Sequence, residues 1–188
     1  EDRYTELFIN DEDVDFVENF LNKNSVNKDD FIVAINPGGN RLPKRWPKDY
    51  WAELADKLTE EFGAKVIITG AHNDLSLAID IGGRMLHQPI IACGVFNLKQ
   101  LGALAKKADL FITADTGPLH IAKAIGAKKI IAIFGPTSPE ITGPYPLKNV
   151  IILQKNVGCP IPCYKVHCKD NRCMKAILPS DVLKEIRK

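Results

Sequence analysis

The sequence lacks the features that mark membrane-spanning and secreted proteins. No apolar run approaches the roughly 18 residues that a membrane span needs, and no signal-peptide pattern opens the chain. Charge of one sign is not in excess either. The 25 basic and 23 acidic residues give a net charge of +2, too small a surplus to indicate a nucleic-acid partner. These absences leave a globular chain of 188 residues, long enough for one domain with a substantial core.

Two common phosphate-binding motifs are also missing. No Gly-x-x-x-x-Gly-Lys-Ser/Thr pattern occurs, which excludes a P-loop nucleotidase. The first predicted strand is not followed by Gly-x-Gly-x-x-Gly, which disfavours an oxidoreductase that binds nicotinamide or flavin. The tripeptide Asp-Thr-Gly at residues 115–117 also occurs in aspartic proteases. Those proteins are rich in β-structure, whereas here the tripeptide begins a predicted helix in a chain that alternates strands and helices.

Six short apolar runs, rich in valine and isoleucine, recur along the chain with helical patterns between most of them. Uniformly apolar runs of this length are typical of strands that are buried on both faces. The predicted strands cover residues 31–36, 65–69, 89–93, 109–114, 129–134 and 150–153. Strands that alternate with helices predict an α/β fold, specifically a Rossmann-like doubly wound parallel sheet of about six strands.

Capping residues predict where several helices begin and end. Gly63 is expected to end the helix before the second strand, Asn97 to begin the third helix between strands, and Ser180 to cap the last helix. Residues 11–21 have the pattern of a helix that enters from a preceding domain. Because the chain opens on residues 1–4 (EDRY) without an initiator methionine, we expect it to be a segment of a longer protein. Native processing would leave a similar N-terminus.

Residues 115–120 (DTGPLH) join a predicted strand directly to a predicted helix. The free N–H groups and the positive dipole end at the start of such a helix suit an anion such as phosphate. Pro118 fits the first helical turn, where its missing N–H costs nothing. His120, one turn inside the helix, can reach the same ligand. The segment therefore predicts a diphosphate site at the carboxyl end of the fourth strand.

The loop after the first strand, residues 36–47, combines paired glycines with two or three cations. Gly38 and Gly39 allow backbone N–H groups to approach a ligand closely, and Lys44 and Arg45 can neutralise phosphate charge. By itself the segment is also compatible with a polar surface loop. The carboxyl ends of parallel strands gather at one edge of a sheet, so we expect this loop to converge on residues 115–120.

The loop after the fifth strand contains four prolines within residues 136–146. Stiffness of this kind suits a pre-organised binding loop and is equally typical of a rigid connector. Glu140 is the nearby carboxylate and can hold a hydroxyl group.

Together these segments resemble glycosyltransferase family 9, the heptosyltransferase family of lipopolysaccharide core assembly. The resemblance rests on PGG at 37–39, KRWP at 44–47, TGA at 69–71, DTGPLH at 115–120 and FGPT at 134–137, in that order. It implies the C-terminal half of a two-domain GT-B enzyme, the half that holds the nucleotide-sugar donor, usually ADP-heptose. A preceding half would bind the lipopolysaccharide core acceptor and supply the catalytic carboxylate. We therefore expect no catalytic residue in this chain and no activity from it alone.

The resemblance also implies roles for individual residues. The diphosphate group would be held by Lys44, Gly39, Asn40, Thr116 and Gly117. The sugar and nucleoside would meet Asp115, His120, Phe96, Asp74 and Thr137, with the loop at residues 94–97 bordering the adenine. A surface-loop role for Asp74 and its neighbour His72 is equally compatible with the sequence. Members of the family invert the anomeric centre without a metal, so no cofactor is expected for the chemistry.

On this basis we divide the chain into three parts. Residues 1–30 form an interdomain linker and helix, residues 31–155 the nucleotide-sugar-binding domain, and residues 156–188 a cysteine-rich segment and C-terminal helix. The expected location is the cytoplasm, with peripheral contact with the inner-membrane face as an option. The alternative is a stand-alone nucleotide-binding module without catalysis.

Four of the five cysteines lie within fifteen residues, at Cys159, Cys163, Cys168 and Cys173. Reduced or partly disulfide-linked structural cysteines, a tetrahedral zinc site and an iron–sulfur site all fit this composition. The spacing is not the paired Cys-x-x-Cys of a zinc ribbon, although four soft ligands can close a zinc site. His167 is a further candidate ligand. Cys93 lies in an apolar run and is expected to be a small buried core residue.

Overall fold

The computed structural model describes residues 5–188. Residues 1–4, on which part of the segment hypothesis depends, lie outside the described residues. Six strands form one sheet in which every pairing is parallel, in the order β3-β2-β1-β4-β5-β6. They are β1 Ile32–Asn36, β2 Lys65–Gly70, β3 Ile90–Cys93, β4 Leu110–Ala114, β5 Ile130–Ile133 and β6 Val150–Leu153. The predicted six-stranded parallel sheet is confirmed, with strand ends that differ by a residue or so.

Helices connect the strands and cover both faces of the sheet. They are α1 Asp11–Lys23, α2 Lys48–Phe62, α3 Leu75–Gly82, α4 Leu98–Lys107, α5 Gly117–Ala124, α6 Pro139–Thr142, α7 Arg172–Lys175 and α8 Pro179–Ile186. Two 3-10 turns, Leu42–Lys44 and His72–Asp74, lie in the loops after β1 and β2. None of the helices over residues 5–188 combines the length and the apolar character of a membrane span.

Two of the predicted helix caps are confirmed. Gly63 ends α2 with a left-handed φ of 63°, a conformation that favours glycine. Asn97 caps α4, and its side chain accepts the N–H of Gln100 at 2.9 Å while the Gln100 side chain accepts the N–H of Asn97 at 3.0 Å. This reciprocal arrangement satisfies two N–H groups that a helix start otherwise leaves unpaired.

The prediction that Ser180 caps the last helix is wrong. Helix α8 begins at Pro179 after Leu178, so Ser180 already lies in the first turn. The Asp181 carboxylate accepts the N–H of Leu178 at 2.9 Å. Proline fits the first helical turn, and the acidic residue in that turn pairs the N–H of the residue that precedes the helix.

The core has two layers because side chains of each strand alternate between the faces of the sheet. In β1, Val33 and Ile35 pack with α2, whereas Ala34 packs on the opposite face with α1 and α4. Met174 and Val182 belong to the same cluster as Val33, so the C-terminal segment closes one face of the sheet. The doubly wound architecture is confirmed.

Candidate functional site

A cleft of 490 Å³ opens at the carboxyl ends of the strands, where β1 and β4 lie side by side. The strand that follows β1 in the chain, β2, lies on one side of it, and β4 lies on the other side, so the strand order changes direction at this point. Ligands bind at such switch points in α/β sheets. Loops after β1, β2, β3 and β4 all contribute to the wall. Eight of the predicted site residues line this cleft, namely Gly39, Asn40, Lys44, Asp74, Phe96, Asp115, Thr116 and Gly117.

The two predicted phosphate loops meet through an ion pair. The Nζ of Lys44 lies 2.7 Å from Oδ2 of Asp115 and donates to the backbone carbonyl of the same residue at 3.1 Å. The Asp115 side chain is 5% exposed and that of Lys44 is 18% exposed. The predicted convergence of the loops after β1 and β4 is confirmed. Lys44, which was expected to face the ligand as a cation, already has the Asp115 carboxylate as its partner.

A second side chain, from the loop after β5, also hydrogen-bonds the Asp115 carboxylate. The hydroxyl of Thr142, at the end of α6, donates to Asp115 Oδ2 at 3.0 Å. Helix α6 belongs to the proline-rich loop after β5, so that loop contacts the phosphate turn through this hydroxyl. Sequence reasoning missed Thr142, since no local pattern links it to a residue 27 positions earlier.

The start of α5 is left open toward the cleft. The side chain of Thr116 does not cap the helix, because its hydroxyl lies 3.2 Å from that of Thr113 and 3.4 Å from the Ala114 carbonyl. A methyl group placed on Gly117 would have nothing within 4 Å. Backbone N–H groups at a helix start with open space in front of them can take an anion.

The glycine loop packs closely on Asp74. A Cβ on Gly38 would lie 2.5 Å from Oδ2 of Asp74, which itself accepts the N–H of Ala71 at 3.0 Å. Oδ1 of Asp74 lies 3.7 Å from the guanidinium of Arg45, whose Nε donates to the Gly39 carbonyl at 2.9 Å. Arg45 therefore fixes the glycine loop through the Gly39 carbonyl, and Asp74 packs against the same loop at Gly38.

Phe96 forms the wall of the cleft near the end of β3. Its ring packs edge to face on Phe20 of α1, with the ring centroids 4.9 Å apart, and more distantly on Phe16 at 6.2 Å. Leu98 and Leu101 of α4 line the same region. These side chains make this end of the cleft apolar, a suitable surface for a planar aromatic group.

The structure separates two predicted site residues from this cleft. His120 is exposed and lines a neighbouring cleft of 510 Å³, together with Lys123, Glu140 and Tyr145. The Ser138 hydroxyl donates to Glu140, which lowers the pKa of that carboxyl. Thr137 is buried, and its hydroxyl has no hydrogen-bond partner among residues 5–188.

The four C-terminal cysteines line a third cleft of 330 Å³, beside the loops after β1 and β5. All of them have free thiols, and Cys173 has a raised pKa, chiefly because of burial. Within the described part of the chain, no three Cys, His, Asp or Glu side chains are arranged to hold a metal ion. The zinc site stays a prediction. Metal analysis of protein purified without an affinity tag tests it, and a lack of stoichiometric zinc or iron would exclude both metals.

Arg41 also lines the main cleft and was not singled out by the sequence. It directly precedes the 3-10 turn that carries Lys44. The signal available beforehand was its place in the cation-containing loop, which does not distinguish a cleft-lining arginine from a surface one.

Taken together, the fold and the cleft define a Rossmann-like α/β domain with an anion-suited site at its switch point. Residues 7–173 match the sequence profile of glycosyltransferase family 9 (heptosyltransferase), and the chain belongs to this family.

Curated relatives and solved structures agree with this assignment. Lipooligosaccharide heptosyltransferase 2 of Campylobacter jejuni is 32% identical over 164 residues, which are 84% of this chain and 51% of the relative. Lipopolysaccharide heptosyltransferase 2 of Escherichia coli K12 is 29% identical over 136 residues, 70% of this chain and 38% of the relative. The chain thus spans about half, or less, of the length of these relatives.

Among solved structures, a family 9 glycosyl transferase from Veillonella parvula superposes with a TM-score of 0.87 at 26% identity, covering 97% of this chain and 52% of that one. The E. coli ADP-heptose lps heptosyltransferase II superposes with a TM-score of 0.79 at 23% identity, with the same two coverages. The latter likeness bears on the fold alone.

Proposed function

We propose that this chain is the donor-binding domain of an inverting glycosyltransferase, which transfers heptose or a related sugar from ADP-heptose to the lipopolysaccharide core. One observation carries the proposal. The Lys44–Asp115 pair and the uncapped start of α5 lie in the same cleft of a family 9 chain. The diphosphate is assigned to this end of the cleft, and the nucleoside to the apolar end at Phe96.

The charges in the cleft suit a leaving group that is an anion. A phosphate placed beside an unpaired Asp115 would be repelled by about 3 kcal/mol for each pair of charges about 5 Å apart, at an effective dielectric constant of about 20. Lys44 removes most of this repulsion, because its ammonium group lies against the carboxylate. The carboxylate can then accept a sugar hydroxyl while N–H groups and cations stabilise the nucleoside diphosphate that departs.

The remaining parts of the proposal concern the whole protein. We assign the lipopolysaccharide core acceptor and the catalytic carboxylate to a preceding domain, so the isolated chain is proposed to be inactive. Neither a metal nor another cofactor is assigned to the chemistry. We place the protein in the cytoplasm, a location that also allows peripheral contact with the inner-membrane face.

Calorimetric titration with ADP, UDP and NAD tests the donor assignment. The chain is expected to bind ADP more tightly than the other two, and Lys44→Ala is expected to weaken ADP binding. Lys48→Ala is the matched control, because Lys48 is exposed and pairs with Asp80 outside the cleft. A preference for NAD, or unchanged ADP binding in Lys44→Ala, would overturn the proposal.

A further inference from the structure

The positive charge of Lys44 is largely neutralised by Asp115, without any ligand. Its ammonium group contacts both the carboxylate and the backbone carbonyl of Asp115, and its side chain is mostly buried. A phosphate would therefore meet a neutral pair at this position. Lys44 reduces the repulsion between Asp115 and an anionic ligand, but the Lys44–Asp115 pair has little net charge with which to attract that ligand.

The guanidinium of Arg45 also has partners within the protein. Its Nε donates to the Gly39 carbonyl at 2.9 Å, and another guanidinium nitrogen lies 3.7 Å from Asp74 Oδ1. These contacts turn the side chain toward the glycine loop, where it supports the backbone.

Arg41 is the other cation that lines the cleft beside Lys44. Across residues 5–188 its guanidinium takes part in no hydrogen bond or ion pair, although the residue is half-buried and lies in the cleft wall. Two cations, Arg41 and Lys44, and two carboxylates, Asp74 and Asp115, line the cleft. Asp115 is paired with Lys44, and Asp74 lies beside Arg45, which is outside the cleft lining, so Arg41 is the charged wall residue that has no partner within the described residues.

We infer that Arg41 is the residue that recognises the phosphate groups of the nucleoside diphosphate, while Lys44 serves to neutralise Asp115. This inference rests on the proposed function. A guanidinium offers several N–H donors in one plane and forms paired hydrogen bonds with phosphate oxygens. Because the Arg41 guanidinium makes no hydrogen bond or ion pair within the described residues, it can turn toward the ligand without breaking such a contact.

The test compares Arg41→Ala, Arg41→Lys and the unaltered chain in titrations with ADP and with AMP. Arg41→Ala is expected to weaken ADP binding by about tenfold, which corresponds to one charge-assisted hydrogen-bonded contact. AMP binding should weaken by a smaller factor, because AMP carries less phosphate charge. Arg41→Lys should recover part of the loss. Raising the salt concentration should weaken ADP binding less in Arg41→Ala than in the unaltered chain.

Arg187→Ala is the matched control, since it removes the same charge from a residue that pairs with Glu61 on the remote surface. Thermal unfolding of Arg41→Ala should be unchanged, because the guanidinium has no partner to lose within the described chain. If the unaltered chain binds ADP and Arg41→Ala binds it equally well, or loses ADP and AMP by the same factor, the inference is wrong and the proposed function stands. If the unaltered chain does not bind ADP, the proposed function itself fails.

Discussion

The indole N–H of Trp46 donates to the carbonyl of Ile177 at 2.8 Å, across 131 positions of the chain. Both residues are buried. Nearby, the side-chain amide of Asn171 donates to the Arg45 carbonyl at 3.1 Å. These two bonds attach the loop that carries Lys44 to the segment after β6. The C-terminal segment thus supports the cleft although it contributes no wall residue to it.

Trp46→Phe is expected to destabilise the chain more than Trp51→Phe. The first change leaves the buried Ile177 carbonyl without its donor, at a cost of about 1–3 kcal/mol. Trp51 is equally buried, but its Nε1 has no hydrogen-bond partner in the described part of the chain, so its replacement removes ring volume alone. Urea denaturation of the two variants measures the difference. Equal losses would show that the Trp46–Ile177 bond contributes nothing.

Thr142→Val should weaken ADP binding by about three- to tenfold with little change in the shape of the side chain. It removes the hydroxyl that donates to Asp115 Oδ2 at 3.0 Å and leaves the carboxylate freer to turn. Thr142→Ser keeps the hydroxyl and should bind ADP nearly as the unaltered chain does. Titration calorimetry gives both affinities, and equal losses in the two variants would contradict a role for this hydrogen bond.

The elements were predictable because their signals are local. Uniformly apolar runs marked the strands, and Gly63 and Asn97 marked helix ends through conformational and hydrogen-bonding preferences that a few neighbouring residues decide. The prediction that Ser180 caps the last helix was wrong because its neighbours also favour a helix start: Pro179 fits the first helical position and Asp181 the first turn. Two capping signals one residue apart cannot be ranked from the sequence.

The contacts inside the cleft were less predictable. Lys44 and Asp115 were both placed at the site, but the sequence does not show that their charges cancel, since they are 71 positions apart and meet only through the sheet register. His120 was placed one turn inside α5, where distance along the helix allowed contact with the ligand. Its side chain, however, lies on the side of α5 that faces the neighbouring cleft. That cleft is formed with residues of α6, whose packing the sequence does not show.

Gly38→Ala is expected to destabilise the chain by about 1–2 kcal/mol, because its Cβ would lie 2.5 Å from the Asp74 carboxylate. The Asp74 carboxylate is also held in this position by the N–H of Ala71, which it accepts at 3.0 Å. In the double variant with Asp74→Ala the carboxylate is absent, so the loss should be smaller than the sum of the two single losses. Gly39→Ala, whose Cβ would be 3.2 Å from Thr116 Cγ2, is the milder control. Denaturation of all four variants gives the coupling, and additive losses would contradict the contact.

Cys93 should resist alkylation at pH 8 and become reactive only at higher pH. Burial, with a smaller contribution from the charge of Asp74, raises the pKa of this thiol from 9.0 to about 11. The thiolate is the nucleophile, so iodoacetamide at pH 8 should modify the partly exposed Cys159 well before Cys93. The folded chain keeps the proton between pH 9 and about 11 while the unfolded chain loses it, so this thiol's contribution to stability falls across that window. Mass spectrometry of digested peptides follows each cysteine, and modification of Cys93 at the rate of Cys159 at pH 8 would contradict the raised pKa.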